Sequence, residues 1–169
     1  MIERIKKFIF RKPENWMHIR EIARGLKISP ETVRKLSVIL KKNGIVESRE
    51  EGNMMQFRAN LENKNYKREK ILHNLKEIYH SGIIEFLHDV YRPQAIVLFG
   101  SYARGEDISS SDIDIGVITS SKKRPDLSAF EKKLSRRIEL SLFTRKEVSG
   151  EFFTSIINGI LLEGMVKNE

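Results

Sequence analysis

The chain contains no cysteine in its 169 residues. Disulfides, thiolate nucleophiles and Cys-ligated zinc or iron–sulfur sites are therefore excluded from its chemistry. With 40% hydrophobic residues, the chain is long enough to bury one medium core or two small ones.

Long hydrophobic runs are also lacking. The longest apolar stretches fall far short of a membrane span, and the stretch 156–166 is interrupted by Asn158, Gly159, Glu163 and Gly164. The amino terminus, MIERIKKFIFRK, alternates charged and apolar residues and does not resemble a secretory signal. We therefore expect a soluble, cytoplasmic protein with no membrane partner.

The charge is distributed unevenly along the chain. Residues 1–70 contain 18 Lys and Arg against 9 Asp and Glu, whereas residues 71–169 contain 13 against 14. The net charge of +8 therefore arises entirely in the first part. A basic module beside a near-neutral one predicts that the first module binds nucleic acid.

Two apolar runs and the polar residues between them are the most informative part of the sequence. The run Ala95–Phe99 is rich in β-branched and apolar residues and predicts a buried strand. Gly100 and Ser101 follow directly, and ten residues separate Ser101 from the alternating carboxylates Asp112 and Asp114. In a strand these two carboxylates share one face, while the isoleucines next to them enter the core.

This pattern predicts a site for metal-bound phosphates. Gly100 allows a sharp turn and a close approach to a ligand, and Ser101 can begin a short helix that offers N–H groups and a hydroxyl to phosphate oxygens. Two carboxylates one pleat apart suit Mg²⁺, which takes one or two protein carboxylates together with phosphates. A further strand is predicted over 137–143, and if it lies beside the first carboxylates, Glu139 completes the metal site or accepts a proton from an acceptor hydroxyl. Nucleotidyl transfer is the function that this pattern favours.

The segment GSYARGEDISSSDIDIGV resembles the signature of the DNA polymerase beta nucleotidyltransferase superfamily, and it is most similar to that of the minimal nucleotidyltransferases of archaea and bacteria. The resemblance implies a small α/β catalytic core, two Mg²⁺ ions and a nucleoside triphosphate substrate, usually ATP. The residues that it assigns to nucleotide binding are Gly100, Ser101, Arg104 and Ser111. Those that it assigns to metal binding and catalysis are Asp112, Asp114 and Glu139. Glu139 is a departure, because the third carboxylate of the family is often Asp.

Helices are predicted for most of the first forty residues. A helix over 17–24 is expected to end at Gly25. Ser29 as N-cap and Pro30 at the first position predict the start of the next helix, which runs to about Lys42. The side of this helix that is expected to face inward consists of Val33, Leu36, Ile39 and Leu40.

A β-hairpin is predicted after these helices, with strands over 45–48 and 54–58. Helices and hairpin together resemble the winged helix-turn-helix of prokaryotic regulators over most of residues 1–60. The resemblance implies that the helix from Ser29 enters the major groove of double-stranded DNA. The residues expected to contact nucleic acid are Thr32, Arg34, Lys35 and Ser37 on this helix and Arg49 and Arg58 on the hairpin. Winged helices also bind protein or simply pack, and the basic charge favours nucleic acid.

The predicted fold class is α+β with three regions. A winged helix-turn-helix domain is expected over 1–62 and a linker helix region, bent near Ser81-Gly82, over 63–91. A minimal nucleotidyltransferase domain with a mixed sheet is expected over 92–169.

Two further segments complete the prediction for the C-terminal half. A helix beginning at Asp126 is expected to present a solvated basic face formed by Lys132, Lys133, Arg136 and Arg137. The segment 146–162 is expected to be mostly core, and its abundance of apolar residues leaves room for a homodimer surface.

Two functions of different classes remain open. As an enzyme, the protein transfers a nucleoside monophosphate, expected to be AMP, from a nucleoside triphosphate to an acceptor hydroxyl. The acceptor is then a Tyr or Ser of a partner protein, as in antitoxins that nucleotidylate their cognate toxins, or an RNA end or a small molecule. The alternative is a DNA-binding transcriptional regulator whose second module senses nucleotide or is inactive.

Overall fold

The structure, a computed structural model, describes residues 1–147 and 150–166. The chain divides into two compact units, Met1–His73 and Asn74–Glu169. The boundary between them falls inside the segment that is predicted to link the two modules. No helix in the described part of the chain is long and apolar enough to cross a membrane.

The first unit begins with helices and a three-stranded antiparallel sheet. In chain order its elements are α1 (Ile2–Phe10), β1 (Met17–His18), α2 (Ile19–Leu26), α3 (Pro30–Lys42), β2 (Val46–Glu51) and β3 (Met54–Ala59). Strand β3 lies between β1 and β2. The helices and the sheet share one core, whose most deeply buried residues include Ile5, Ile9, Ile22, Val33, Leu40 and Phe57.

The start of α3 follows the prediction, whereas the end of α2 does not. The hydroxyl of Ser29 accepts the backbone N–H of Thr32 at 3.1 Å and so caps α3. The predicted helix end at Gly25 is wrong, because α2 continues beyond it and Lys27 takes the left-handed conformation with φ of 53°. Gly25 serves packing instead, since a Cβ there would collide with the ring of Phe8.

The buried side of α3 is rotated from the predicted one. Val33 and Leu40 are buried as expected, but Ile39 is 46% exposed and Ser37 is fully buried. Val33, Ser37 and Leu40 are four and three positions apart, which is the spacing of a single helical face. The prediction that Ser37 faces outward toward nucleic acid is therefore wrong.

Strands β2 and β3 form the predicted hairpin with a shorter turn than expected. Register pairs Glu51 with Met54, so only Gly52 and Asn53 lie in the turn. Both residues have a left-handed backbone conformation, with φ of 55° and 62°, as a two-residue type I′ turn requires.

Two helices follow the hairpin, α4 (Lys64–Ser81) and α5 (Ile83–Tyr91). Gly82 separates them with φ of 82°, a conformation that glycine adopts without strain. The predicted bend near Ser81-Gly82 is confirmed. The boundary between the two units lies inside α4.

A four-stranded mixed sheet forms the centre of the second unit. After α5 the elements are β4 (Ala95–Phe99), α6 (Gly100–Arg104), β5 (Ile113–Ile118), α7 (Ser128–Leu134), β6 (Ile138–Phe143), α8 (Gly150–Ile157) and β7 (Ile160–Gly164). The strand order is β6-β5-β4-β7. Strands β5 and β6 are parallel and the other pairs are antiparallel, so the mixed sheet is confirmed.

The sheet carries apolar residues on both faces. On one face, Ile113 and Ile115 pack with residues of α4 and α5 such as Ile78 and Leu87. On the other, Ile156 of α8 lies in a smaller cluster with residues of β4, β5 and β6. The prediction that the segment 146–162 is mostly core is confirmed only in part for its described residues, because Ile157 and Leu161 are about half exposed; positions 148 and 149 lie outside the described residues.

Candidate active site

Gly100 joins β4 to α6. Both its backbone conformation and the space around it disfavour a side chain at this position. Its φ is 70°, in the left-handed region. A Cβ on Gly100 would collide with Oδ2 of Asp114. The glycine therefore lets the Asp114 carboxylate lie directly against the turn at the end of β4.

Two neighbouring strands, β5 and β6, bring the predicted carboxylates to one end of the sheet, beside the end of β4. Asp114 pairs in register with Phe99 on one side and with Glu139 on the other. Asp112 directly precedes β5 and shares the face of Asp114, while Ile113 between them is fully buried. The adjacency of the Glu139 strand to the Asp112–Asp114 strand is confirmed.

The carboxylates repel one another in this arrangement. Burial raises the pKa of Asp114, and the negative charges of Asp112 and Glu139 raise it further. The guanidinium of Arg104 acts in the opposite direction. Because burial and like charges both penalise the ionised form, a bound cation would relieve a penalty that the fold imposes.

The donor set at this end of the sheet fits Mg²⁺. Within the described residues, no three His, Cys, Asp or Glu side chains are gathered closely enough to hold an ion by themselves. Mg²⁺ usually takes only one or two protein carboxylates and completes its octahedron with water and substrate phosphates. Asp112 and Asp114 are the residues that would hold it, with Glu139 beside them.

The residues predicted to bind nucleotide lie on α6 and on the loop before β5. Ser101 is the second residue of α6 and is partly buried. Arg104 is exposed and its Nε pairs with Glu106 at 2.9 Å. The Ser111 hydroxyl accepts the N–H of Ile108 at 3.0 Å, so this side chain shapes the loop that leads to the carboxylates.

Buried hydrogen bonds fasten the loop between α6 and β5. Asn74 Nδ2 donates to the backbone oxygen of Tyr102 at 2.8 Å and to Oδ1 of Asp107 at 2.7 Å. Arg136 forms an ion pair with Oδ2 of Asp107 at 3.3 Å. These contacts hold the segment that carries the Gly-Ser turn and the segment that carries the carboxylates.

Sequence reasoning missed this group of residues. The prediction that Arg136 lies on a solvated helix face is wrong, because α7 ends at Leu134 and the Arg136 side chain is only 8% exposed. The sequence shows Asp107 as an acidic residue inside the ten-residue interval, but its burial, which requires a cationic partner, is seen only in the structure. Nothing in the local pattern indicated which cation this was.

The sequence of the chain is similar to those of known nucleotidyltransferases. The family model described as "Polymerase beta, Nucleotidyltransferase" matches residues 81–164. A protein of Methanocaldococcus jannaschii that is named as a candidate protein adenylyltransferase is 34% identical over 100 residues, a match that covers 55% of this chain and 97% of the relative. The chain belongs to the polymerase beta nucleotidyltransferase family. A crystal structure of a candidate nucleotidyltransferase from Sulfolobus solfataricus is similar with 20% identity and a TM-score of 0.36, covering 59% of this chain and 92% of that one.

The nucleotidyltransferase also carries a basic surface on its first unit. Arg34 and Lys35 are exposed on α3, and Thr32 is partly buried, with its hydroxyl 2.8 Å from that of Ser29. A groove of about 360 Å³ lies between the start of α3 and the hairpin turn, and its lining includes Arg34. The side chains of Arg34 and Lys35 are therefore accessible to a ligand.

The two arginines of the hairpin have partners within the nucleotidyltransferase itself. Arg49 and Arg58 both stack on the ring of Trp16, 4.6 Å and 4.5 Å from its centroid. Arg58 Nε donates to Glu47 at 2.8 Å, and Arg49 pairs with Glu51 at 3.1 Å. Both charges are thus compensated, which weakens the expectation that these arginines contact phosphates.

Proposed function

We propose that the protein transfers AMP from Mg²⁺-bound ATP to a hydroxyl group of a protein acceptor. The observation that carries this proposal is the meeting of the Gly100 turn with three carboxylates at one end of the sheet. The name of the Methanocaldococcus jannaschii relative supports AMP as the transferred group and protein as the acceptor. Bound Mg²⁺ would neutralise phosphate charge and stabilise both the attacking and the leaving oxygen.

The chain's own residues would position the reactants. The backbone at Gly100 and Ser101 would face the phosphates, and Asp112 and Asp114 would hold the metal-bound end of the nucleotide. The acceptor oxygen forms a bond to the α-phosphorus as the bond from the α-phosphorus to the bridging oxygen breaks, and pyrophosphate leaves. The hydroxyl proton passes to the exposed carboxylate of Glu139.

Space for part of the nucleotide lies beside the turn. A cavity of about 210 Å³ opens next to Gly100 and Arg104, and Thr154 and Ser155 of α8 also line it. Its hydroxyl groups and its guanidinium suit a polar ligand.

The proposal is tested by following Mg²⁺-dependent transfer of label from α-labelled nucleoside triphosphates, each base in turn, into macromolecules of a host lysate. We expect a discrete band with ATP that is sensitive to protease and resistant to nuclease. The double variant Asp112→Asn/Asp114→Asn should abolish the band, because it removes the carboxylates that hold the metal.

The matched control is Asp89→Asn/Asp126→Asn, which removes two exposed carboxylates of the same unit. This variant should label the acceptor as the wild type does. Absence of label with every nucleotide would contradict the proposal. Label that is sensitive to nuclease would show that the acceptor is RNA and not a protein.

For the first unit we propose binding to double-stranded DNA by a winged helix-turn-helix. The order of its helices and strands, the exposed Arg34 and Lys35 and the basic excess in residues 1–70 support this. A regulator that binds nucleotide without turnover is the second candidate function, and the same basic surface favours it. With a toxin as the acceptor, the transfer reaction would be that of an antitoxin.

A further inference from the structure

A buried ion pair lies in the loop between α6 and β5. The Asp107 side chain is fully buried, the Arg136 side chain is 8% exposed, and their charged groups are 3.3 Å apart. Removing two charges from water is so unfavourable that apolar residues of the same volume are often at least as stabilising. The pair is therefore weak evidence for a stabilising role, and its position suggests another one.

Arg136 connects the two backbone segments that lead to the carboxylates. Its Nη1 donates to the carbonyl oxygens of Ile108 and Ser111, and Ser111 directly precedes Asp112. Arg136 itself lies three residues before Glu139, in the turn that leads into β6. One planar guanidinium thus fixes the backbone that leads to Asp112 relative to the backbone that leads to Glu139.

Asp107 fixes the orientation of this guanidinium. One carboxylate oxygen of Asp107 pairs with Arg136, and the other accepts the hydrogen bond from Asn74 of α4. The carboxylate is therefore held from two sides, by a helix and by the turn before β6. Arg136 in turn is held by both the carboxylate and the loop carbonyls.

We propose that the Arg136–Asp107 pair is a positioning device that sets the position of the Asp112 carboxylate relative to Glu139 and, through Asp112, the metal affinity of the active site. This inference rests on the proposed function, because it concerns the metal that accompanies the nucleotide. Mg²⁺ demands near-ideal octahedral geometry, so a small displacement of one ligand weakens binding. Residues that hold ligands in place act on metal affinity without touching the metal.

The test measures binding of Mn²⁺, a spectroscopic substitute for Mg²⁺, to the full chain in the presence of a non-cleavable ATP analogue, by electron paramagnetic resonance. Arg136→Lys keeps the positive charge but removes the planar fork that reaches both Asp107 and the loop carbonyls. We expect it to weaken Mn²⁺ binding about 10- to 100-fold, the range typical of residues that orient metal ligands. Asp107→Asn, which disrupts the pair from the other side, should shift the affinity in the same direction.

Lys133→Gln is the matched control. Lys133 Nζ donates to the backbone oxygen of Ser81 at 2.8 Å, a bond from the same segment that does not involve the loop between α6 and β5. This variant should leave Mn²⁺ affinity unchanged. Because an unpaired buried charge can unfold the chain, Asp107→Asn/Arg136→Gln removes both charges together, and thermal denaturation establishes that each variant is folded.

The outcomes separate the inference from the proposed function. Folded pair variants that bind Mn²⁺ as tightly as the wild type, even with a lower unfolding temperature, give the pair a purely structural role and overturn the inference alone. A wild-type chain that does not bind Mn²⁺ with the analogue overturns the proposed function and the inference with it. Weaker Mn²⁺ binding in the folded pair variants, with the control unchanged, supports the inference.

Discussion

Gly100 is subject to two independent constraints that exclude a side chain. The first is conformational, because its φ of 70° lies in the left-handed region, which costs other residues about 1–2 kcal/mol. The second is steric, because a Cβ would collide with Oδ2 of Asp114. A larger residue at this position must displace the carboxylate on which the site depends.

Replacing Gly100 by alanine is therefore expected to abolish binding of Mg²⁺–ATP and to lower the free energy of unfolding. Gly52→Ala is a matched control, because Gly52 also has a positive φ, 55°, but a Cβ there meets nothing within 4 Å. We expect Gly52→Ala to lose about 1–2 kcal/mol of stability and to bind nucleotide normally. Urea denaturation measures the stability and titration calorimetry the binding. Equal nucleotide affinity in the two variants would show that Asp114 is not constrained by this contact.

At the scale of the element, α3 illustrates what a local signal specifies. Ser29 and Pro30 define its first turn, and the capping hydrogen bond to Thr32 satisfies an N–H group that the helix itself leaves without an acceptor. The same residues say nothing of which side of the helix is buried. That depends on the helices and the sheet that pack against it.

Ser29→Ala should lower the free energy of unfolding of the protein by about 1 kcal/mol, because the cap is lost. Ser29→Asp keeps an acceptor at the N-cap and should retain most of the stability. Guanidinium denaturation compares the two variants with the wild type. If Ser29→Asp were destabilised as much as Ser29→Ala, the hydroxyl would have a role other than capping.

The catalytic elements were predictable from the sequence because their signals are local. Alternation of apolar and acidic residues around Asp112 and Asp114 defines both the strand and its two faces, and Gly100 marks the turn before them. The order of the apolar runs also predicted the strand of Glu139. The sequence did not show that this strand pairs with β5. The parallel pairing is seen only in the three-dimensional structure.

Other features depend on partners far along the chain and were not predictable. Ser37 occupies a core position that an apolar residue usually fills, so the periodicity of α3 was assigned to the wrong face. Strand β7 is a short apolar run that suits either helix or strand, and its pairing of Leu161 with Val97 lies outside any local window. Arg136 is basic and follows a helix, and only the buried Asp107 explains its inward orientation.

At the scale of the whole molecule, the excess of basic residues and the candidate active site lie in different parts of the chain. The basic excess lies in residues 1–70, whereas the carboxylate site lies in the second unit. On the first unit the exposed cations differ in their surroundings. Arg34 and Lys35 project from α3, while Arg49 is stacked on Trp16 and paired with Glu51.

This difference predicts which cations bind DNA. Arg34→Ala should weaken binding to double-stranded DNA and reduce the slope of log affinity against log salt by about one, the value for one lost phosphate contact. Arg49→Ala removes the same charge from the hairpin and should leave the slope unchanged, because its guanidinium is already compensated. Fluorescence anisotropy at several salt concentrations measures both. Equal loss in the two variants, or wild-type binding that does not depend on salt, would contradict the proposed interface.

Helix α4 contains two different boundaries, the start of the family match and the division between the two compact units. The family model begins at residue 81, the end of α4, whereas the side chain that holds Tyr102 and Asp107 in place belongs to Asn74 near the middle of that helix. A fragment cut at residue 81 would contain the glycine turn and every predicted metal ligand, yet it would lack the donor that anchors the loop between them. The smallest fragment that retains the anchored loop must begin at or before Asn74, several residues before the family match begins.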